Sequence, residues 1–144
     1  MSSGQGQCAY ARALIDPFSE ASLIAESLVH RLKLKRDSNK IPVTGVGYAV
    51  SIIRGAVTMV ICSRLVDDWS IEVEAFVLPK VTSYKAKFNK SLYDWSIFEN
   101  LPLADLHFAS DAEIELIFGD EVYVLIIQEG LTKGPENQLL KILS

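Results

Sequence analysis

Alternation of apolar and polar residues predicts strands along much of the chain. It is clearest at residues 70–77, where every second side chain is apolar, and it recurs at residues 8–15 and 57–62. Successive side chains of a strand point to opposite faces of a sheet, so this pattern is typical of half-buried strands. Turn-forming residues such as 67–68 separate the runs. Residues 138–143 are a short apolar tail, which we interpret as an edge or interface strand.

A single segment has the spacing of a main helix. After the Asp-Pro step at residues 16–17, apolar residues recur at intervals near 3.6 residues over residues 19–34, and Ser19 is a candidate N-cap. Proline fixes φ and lacks an N–H, so the first strand is expected to stop before this helix. Residues 80–112 are less regular and should form short helical turns. Residues 114–127 have the composition of a strand followed by a helix.

Many strands and one main helix predict an all-β fold, either a barrel or a sandwich. The chain has 144 residues, about the size of one domain, and 49% apolar residues can fill a core. We therefore expect one domain at residues 8–144. Residues 1–7 are rich in Ser, Gly and Gln, and we interpret them as a flexible end or a cut from a longer chain.

The charge balance argues against nucleic acid as the main partner. The formal net charge is 14 − 18 = −4, whereas contact with phosphates needs a basic face. Basic residues cluster at 31–36, at the end of the predicted helix. Cations at that position oppose the negative end of the helix dipole, which explains the cluster without a nucleic acid.

Signals for membrane insertion, secretion and disulfides are not apparent in the sequence. The longest unbroken apolar run, residues 122–127, is too short to span a bilayer, and residues 1–7 lack the basic and apolar regions of a secretion signal. Cys8 and Cys62 fit no metal or redox spacing. We therefore expect an intracellular, cytoplasmic protein with no membrane partner.

Three segments are candidates for chemistry. Asp16 follows a predicted strand, Gly45-Val46-Gly47 is a candidate hairpin about thirty residues later, and residues 114–119 run from a strand into a turn. Taken alone, each has an ordinary explanation, because an aspartate after a strand often caps a turn and paired glycines form hairpins. The glycines do not form a phosphate loop, since no Gly-Lys-Ser/Thr and no helix start follow them.

Other kinds of site are not indicated. His30 and His107 are far apart in sequence and have no neighbouring cluster of Cys or carboxylates, so we expect no metal site. Ser19 and Ser22 lack the Gly-x-Ser-x-Gly elbow of a serine hydrolase. We expect no cofactor.

Taken together, five segments in the same order resemble the protease-like domain of Bel/Pao-type LTR retrotransposon polyproteins, which is a retropepsin-like aspartic peptidase. The family typically has Arg-Ala-Leu-Leu-Asp-Ser-Gly-Ser where residues 12–19 are Arg-Ala-Leu-Ile-Asp-Pro-Phe-Ser. Its Gly-Ile-Gly flap is similar to residues 45–47, and its Val-Leu-Pro-Lys-Ile-Thr is similar to residues 77–82. Its Leu-Pro-Leu-Ala-Asp matches residues 101–105, and its Ile-Asp-Leu-Leu-Ile-Gly-Ala-Asp-Val-Tyr is similar to residues 114–123.

The resemblance, which covers roughly residues 8–135, implies a retropepsin-like acid-protease barrel with one main helix after the catalytic loop. It implies that Asp16 is the catalytic carboxylate. It also implies a homodimer, because each subunit supplies one aspartate of a pair that shares a proton. One carboxyl group would activate a water while the other protonates the substrate carbonyl. The implied partner is an extended peptide or polyprotein segment that adds as a strand beneath a flap.

The resemblance also implies a flap and four substrate-binding positions. They are Gly45, Val46 and Gly47 in the flap, and Phe18, Tyr48, Ile117 and Gly119 against the peptide. Asp16 is the one residue to which a catalytic role is carried over.

The loop after Asp16 departs from the family pattern. The family's Asp-Ser/Thr-Gly loop uses a hydroxyl and an N–H to brace two loops across the dimer, and its glycine brings the backbone close to the water. Pro17 offers neither hydroxyl nor N–H, and Phe18 places a ring where the family has none. A misplacement of about 1 Å can cost roughly 10²-fold in rate, so we predict loss of most or all peptidase activity.

Two functions follow from these patterns. The first is an aspartic-type endopeptidase-like domain of a retrotransposon polyprotein, catalytically impaired at residues 16–18. The second is a non-catalytic peptide-binding or dimerisation module that retains the fold. A decaying genomic copy without a selected role is the third possibility.

Overall fold

The computed structural model describes residues 7–38, 53–82, 96, 100–105, 110–133 and 139–143. Eight strands and two helices lie within the described residues. In chain order they are β1 (Ala13–Ile15), β2 (Ser22–Ala25), α1 (Glu26–Leu32), β3 (Arg36–Asp37), β4 (Ala56–Cys62), β5 (Ser70–Leu78), β6 (Leu116–Phe118), α2 (Asp120–Ile126), β7 (Ile127–Lys133) and β8 (Leu139–Leu143). Neither of these helices has the length and apolar character needed to cross a membrane.

Six of these strands form one mixed sheet in the order β1-β6-β2-β5-β4-β3. β1 runs parallel to β6, and β2 runs parallel to β5. The pairs β2–β6, β3–β4 and β4–β5 are antiparallel. β7 and β8 form a separate antiparallel pair. β6, which comes late in the chain, is therefore inserted between β1 and β2.

The expected all-β architecture, a retropepsin-like acid-protease barrel with one main helix, is wrong. The described residues form an open mixed sheet with two helices, and β1 and β3 stand at its two ends. Alternation along one strand specifies which side chains are buried, but closure depends on which strand edges pair. The parallel pairs also require crossover connections, which periodicity within a strand does not reveal.

The main helix is shorter than predicted. α1 covers Glu26–Leu32 rather than residues 19–34, because residues 22–25 form β2 instead. All four residues of β2 are buried, since β2 lies between β6 and β5 in the sheet. Residues 23–25 are apolar in succession, which is compatible with a buried strand or a helix, so periodicity alone gave the wrong element.

The strands predicted at residues 57–62 and 70–77 are confirmed as β4 and β5. Their antiparallel register places Met59 opposite Val73, and both side chains are buried. Glu72, which precedes Val73 on β5, lies on the other face of the sheet and is exposed. Half-burial of this two-stranded unit is what the alternating pattern indicated.

The predictions for the two ends of the domain hold in part. The strand expected at residues 8–15 is present only as the three-residue β1. The apolar tail at residues 138–143 contains β8, which pairs with β7 of the same chain. β7 covers Ile127–Lys133.

One hydrophobic core connects the sheet to both helices. Its members come from β2, β4, β5 and β6 and from the inner faces of α1 and α2. The largest fully buried apolar side chains are Ile24, Leu28, Val57, Val77 and Val122. The core therefore fixes β6 and the start of α2 against β2, next to the loop that follows β1.

Candidate functional site

The Asp16 loop meets the end of β6 at one edge of the sheet. Parallel pairing of β1 with β6 places Ile15 opposite Phe118. The pairing continues one residue further, because the Asp16 N–H donates to the Phe118 carbonyl over 2.9 Å. Asp16 and Gly119, which are distant in sequence, therefore lie at the same corner of the fold.

The Asp16 carboxylate caps its own loop. Its Oδ1 accepts the Phe18 N–H at 3.0 Å, and the Asp16 carbonyl accepts the Ser19 N–H at 3.1 Å. A side-chain oxygen that accepts the N–H two residues on is an Asx turn, which is the ordinary role of aspartate after a strand. Asp16 as a whole residue is half-buried.

Gly119 lies directly against the backbone of the Asp16 loop. A Cβ at this position would lie 2.7 Å from the Ser19 carbonyl oxygen and 3.0 Å from the Ala21 carbonyl carbon. The Asp120 N–H donates to the same Ser19 carbonyl over 2.8 Å. Only glycine leaves room for so close an approach of two backbone segments.

Ser22 is a buried polar residue that sequence reasoning did not assign to the site. Its side chain is 1% exposed, and its Oγ accepts the Gly119 N–H at 3.1 Å. Burial of a hydroxyl is costly unless it is hydrogen-bonded, so this contact compensates the burial and ties β2 to the end of β6. The available signal was a single serine within the apolar run at residues 21–25.

The structure brings together three of the sequence-predicted site residues. Asp16, Phe18 and Gly119 lie at the junction between the Asp16 loop and the end of β6. Ile117 is half-buried in β6, where it is paired with Leu14 and Leu23. The Phe18 side chain is 94% exposed. The remaining predicted residues lie outside the described part of the chain: Gly45, Val46 and Gly47 of the expected flap, and Tyr48.

Acidic residues flank Phe18 in the chain and occupy the first turn of α2. We define the Phe18 face as Asp16, Pro17, Phe18 and Glu20 with the first two residues of α2, Asp120 and Glu121. Residues 13–29 and 116–127, which form the junction, contain no Lys, Arg or His. Among the described residues, no cation pairs with any of the four carboxylates of this face. Within the part of the chain that the structure describes, these four carboxylates therefore have no salt-bridge partner.

Arg12 immediately precedes β1 and anchors the end of the strand that lies away from the Asp16 loop. Its Nε donates to Asp105 Oδ2 over 2.8 Å, and its Nη1 donates to the carbonyls of Ser110 and Ala112 over 2.8 and 3.2 Å. The side chain is only 14% exposed. A guanidinium with several donors suits a half-buried position of this kind, since it satisfies several acceptors at once.

Glu26 forms a second ionic anchor at the start of α1. Its Oε1 accepts from Arg36 on β3 at 3.0 Å, and its Oε2 accepts from Arg54 just before β4. The hydrogen bond from Arg36 is the largest cause that lowers the pKa of Glu26 below its ordinary value of 4.5, and Arg54 lowers it further. The carboxylate thus connects the helix to two separate segments of the sheet.

Acid should remove the contribution of Glu26 to stability. Its folded-state pKa is lowered, so its contribution is present above about pH 4.5 and is lost as the pH falls through the lowered pKa. We expect Glu26→Gln to lower the urea midpoint relative to the wild type at pH 7. Below pH 4 that difference should shrink. Urea titrations of both proteins across this range would measure it.

The exposed Glu72 of β5 provides the control for the Glu26 measurement. Glu72→Gln should leave the urea midpoint close to that of the wild type at both pH values, because exposed charges contribute little. A Glu26→Gln difference that stayed constant from pH 7 to pH 3 would contradict the ionic role of Glu26.

The described residues offer carboxylates and an exposed ring, and they do not form a metal site. Within these residues, no group of three or more His, Cys, Asp or Glu side chains is placed to hold a metal ion. Cys8 and Cys62 are exposed and free.

Comparison with known proteins adds no relative to this description. No protein-family model, no curated protein and no solved structure matches the chain.

Proposed function

We propose that this chain is an aspartic-type endopeptidase-like domain of a retroelement polyprotein whose hydrolytic activity has been lost at the Asp16 loop. The observation that carries the proposal is the junction between that loop and the end of β6. Two of the segments that resemble the family, residues 12–19 and 114–123, meet there through the hydrogen bond from the Asp16 N–H to the Phe118 carbonyl.

The loss of activity follows from what surrounds the Asp16 carboxyl group. An aspartic mechanism needs two carboxyl groups that share a proton and hold a water between them. Each chain would supply one of them, so the active unit would be a homodimer. Pro17 has no N–H or hydroxyl with which to brace a second loop, and the Phe18 ring projects into solvent beside Asp16. The Asp16 carboxylate instead accepts the Phe18 N–H of its own loop.

Restoring the family loop tests this proposal. We expect no cleavage of an unstructured protein substrate by the wild type between pH 4 and pH 7. The double variant Pro17→Ser/Phe18→Gly should cleave it at least about 10²-fold faster than the wild-type background, because correct placement of the reacting groups is worth roughly that factor. Cleavage products would be followed by electrophoresis and mass spectrometry.

Asp16→Asn is the matched control in both backgrounds. It keeps the size of the side chain and an oxygen that can accept the Phe18 N–H, and it removes the acid. Activity in the double variant that disappears with Asp16→Asn would support the proposal. Cleavage by the wild type itself, abolished by Asp16→Asn, would refute the proposed loss of activity. A double variant that folds and dimerises but does not cleave would refute the peptidase-like assignment.

The exposure of Phe18 favours a second candidate function, a non-catalytic peptide-binding or dimerisation module. Phe18 is 94% exposed on a loop whose backbone is held by four hydrogen bonds: Asp16 to Phe118, Phe18 to Asp16, Ser19 to Asp16 and Asp120 to Ser19. Aromatic side chains are enriched among the residues that anchor protein interfaces. This function requires the loop and does not require the Asp16 carboxyl group.

A further inference from the structure

The peptide unit between Phe118 and Gly119 is held from both sides. β6 has β1 on one side and β2 on the other. The Phe118 carbonyl accepts the Asp16 N–H over 2.9 Å, and the Gly119 N–H donates to Ser22 Oγ over 3.1 Å. In a planar trans peptide the carbonyl and the N–H point in opposite directions, so a bond at one end fixes the direction of the other. One rigid peptide unit therefore connects the Ser22 hydroxyl to the backbone of Asp16.

The Ser22 hydroxyl makes its contact where the backbone pairing of β2 with β6 ends. At this end of the two strands the last residues in register are Leu23 and Ile117. Gly119 is the N-cap residue of α2, and the first N–H groups of a helix have no acceptor within the helix. Removing the hydroxyl would therefore leave this buried N–H without the acceptor that it has now, which is costly in the interior.

The position of the Asp16 backbone determines the position of its carboxylate. Asp16 Oδ1 accepts the Phe18 N–H at 3.0 Å, and the Asp16 carbonyl accepts the Ser19 N–H at 3.1 Å. Both bonds lie within four residues, so the side chain is held against its own loop. A shift of the peptide unit that receives the Asp16 N–H would move the start of this loop and the carboxylate with it.

We propose that Ser22 is a positioning residue for the Asp16 carboxyl group, acting through the peptide unit between Phe118 and Gly119. The proposal rests on the proposed peptidase-like function and adds a residue on which a restored active site depends. The Pro17→Ser/Phe18→Gly variant retains Ser22 and Gly119, and it keeps an N–H at position 18. The same chain of hydrogen bonds is therefore available to the restored loop.

Kinetics in the Pro17→Ser/Phe18→Gly background test the proposal. The substrate is a peptide that spans a site cleaved by that variant. Adding Ser22→Ala should lower kcat by about 10²-fold, the cost of a small misplacement of a reacting group, and should change KM by less than about twofold. Ser22→Thr keeps the hydroxyl and should recover most of the lost kcat. Loss of stability alone would not be reversed by the hydroxyl in this way.

Nuclear magnetic resonance of the chain with its natural loop tests the proposal without any cleavage. Ser22→Ala should speed amide exchange at Asp16 and Gly119 by about tenfold, the order expected for one lost hydrogen bond. It should also shift the carboxyl carbon resonance of Asp16. Ser22→Thr should restore both signals toward the wild type. Ser22→Cys keeps the volume and offers only a weak acceptor, so it replaces the alanine variant if that variant does not fold.

Met59→Ala is the matched control. Met59 is buried in β4 opposite Val73 of β5, so its truncation destabilises the same core without touching the bonds of the Asp16 loop. The amides of β5 report opening of the whole fold and correct for it. Met59→Ala should leave the corrected exchange at Asp16 and its carboxyl resonance unchanged. Equal changes in Met59→Ala and Ser22→Ala would overturn the proposal, because Ser22 would then contribute to stability alone.

The two measurements separate the proposal from the function on which it rests. If Pro17→Ser/Phe18→Gly does not cleave, the peptidase-like assignment fails, and Ser22 is judged by the exchange and the carboxyl resonance alone. Wild-type exchange and an unshifted Asp16 resonance in Ser22→Ala would overturn the positioning role whatever the double variant does. An unchanged kcat after Ser22→Ala in an active double variant would overturn it as well.

Discussion

Replacing Gly119 with alanine is expected to destabilise the fold by about 1–3 kcal/mol, the usual cost of overpacking a close contact. The backbone conformation is not the cause, because Gly119 has φ −79° and alanine adopts such an angle readily. The cause is space, since the new Cβ would lie 2.7 Å from the Ser19 carbonyl oxygen. That oxygen belongs to backbone and cannot rotate away as a side chain could. Urea unfolding of the variant and the wild type would measure the difference.

The position beside Gly119 supplies the control. Asp120 is exposed in the first turn of α2, so Asp120→Asn should cost only a few tenths of a kcal/mol to about 1 kcal/mol through the helix dipole. Amide exchange would add a local measurement, because Gly119→Ala should speed exchange of the Asp16 N–H, which donates to Phe118. An alanine variant as stable as the wild type would show that the two backbone segments can separate without cost, and the junction would then be no rigid site.

The sequence predicted those elements whose pattern of apolar and polar residues lies within a single segment. β4 and β5 were predicted because half-buried antiparallel strands alternate along their own sequence. β2 was missed because both its faces are buried, so its apolar residues 23–25 follow one another and also suit a helix. The open mixed sheet was missed for a different reason. The insertion of β6 between β1 and β2 is a pairing of distant segments, and no local periodicity encodes it.

The candidate site was predicted to a similar extent. Asp16 and Gly119 were chosen from short segments that resemble one family, and the structure places them at one corner. The residues that hold the corner were not foreseen. Ser22 and Arg12 act through hydrogen bonds to residues 97 and 93 positions away, which a single sequence does not reveal. Their side-chain types were visible, but their partners were not.

Replacing Ile24 with alanine is expected to have the largest effect, a loss of about 2–5 kcal/mol of unfolding free energy. Ile24 is 0% exposed in β2, with Val77 of β5 and Leu116 of β6 as its neighbours in register. Truncation removes buried apolar surface and leaves a cavity between strands that cannot collapse freely, because both neighbours are themselves paired in the sheet. A domain of this size is stable by only about 5–15 kcal/mol, so part of the variant population would be unfolded at 37 °C.

Val60→Ala is the matched control, because Val60 is a β-branched strand residue that is 63% exposed on β4, and its truncation should change stability by about 0.5 kcal/mol or less. The Ile24 variant should also loosen the site, since β2 carries Ser22, whose Oγ accepts the Gly119 N–H. Amide exchange at Gly119 should therefore accelerate in Ile24→Ala and remain unchanged in Val60→Ala. If Ile24→Ala unfolded earlier in urea while exchange at Gly119 stayed at the wild-type rate, the junction would be held by the Asp16 loop and β6 alone, and the buried serine would have no part in placing it.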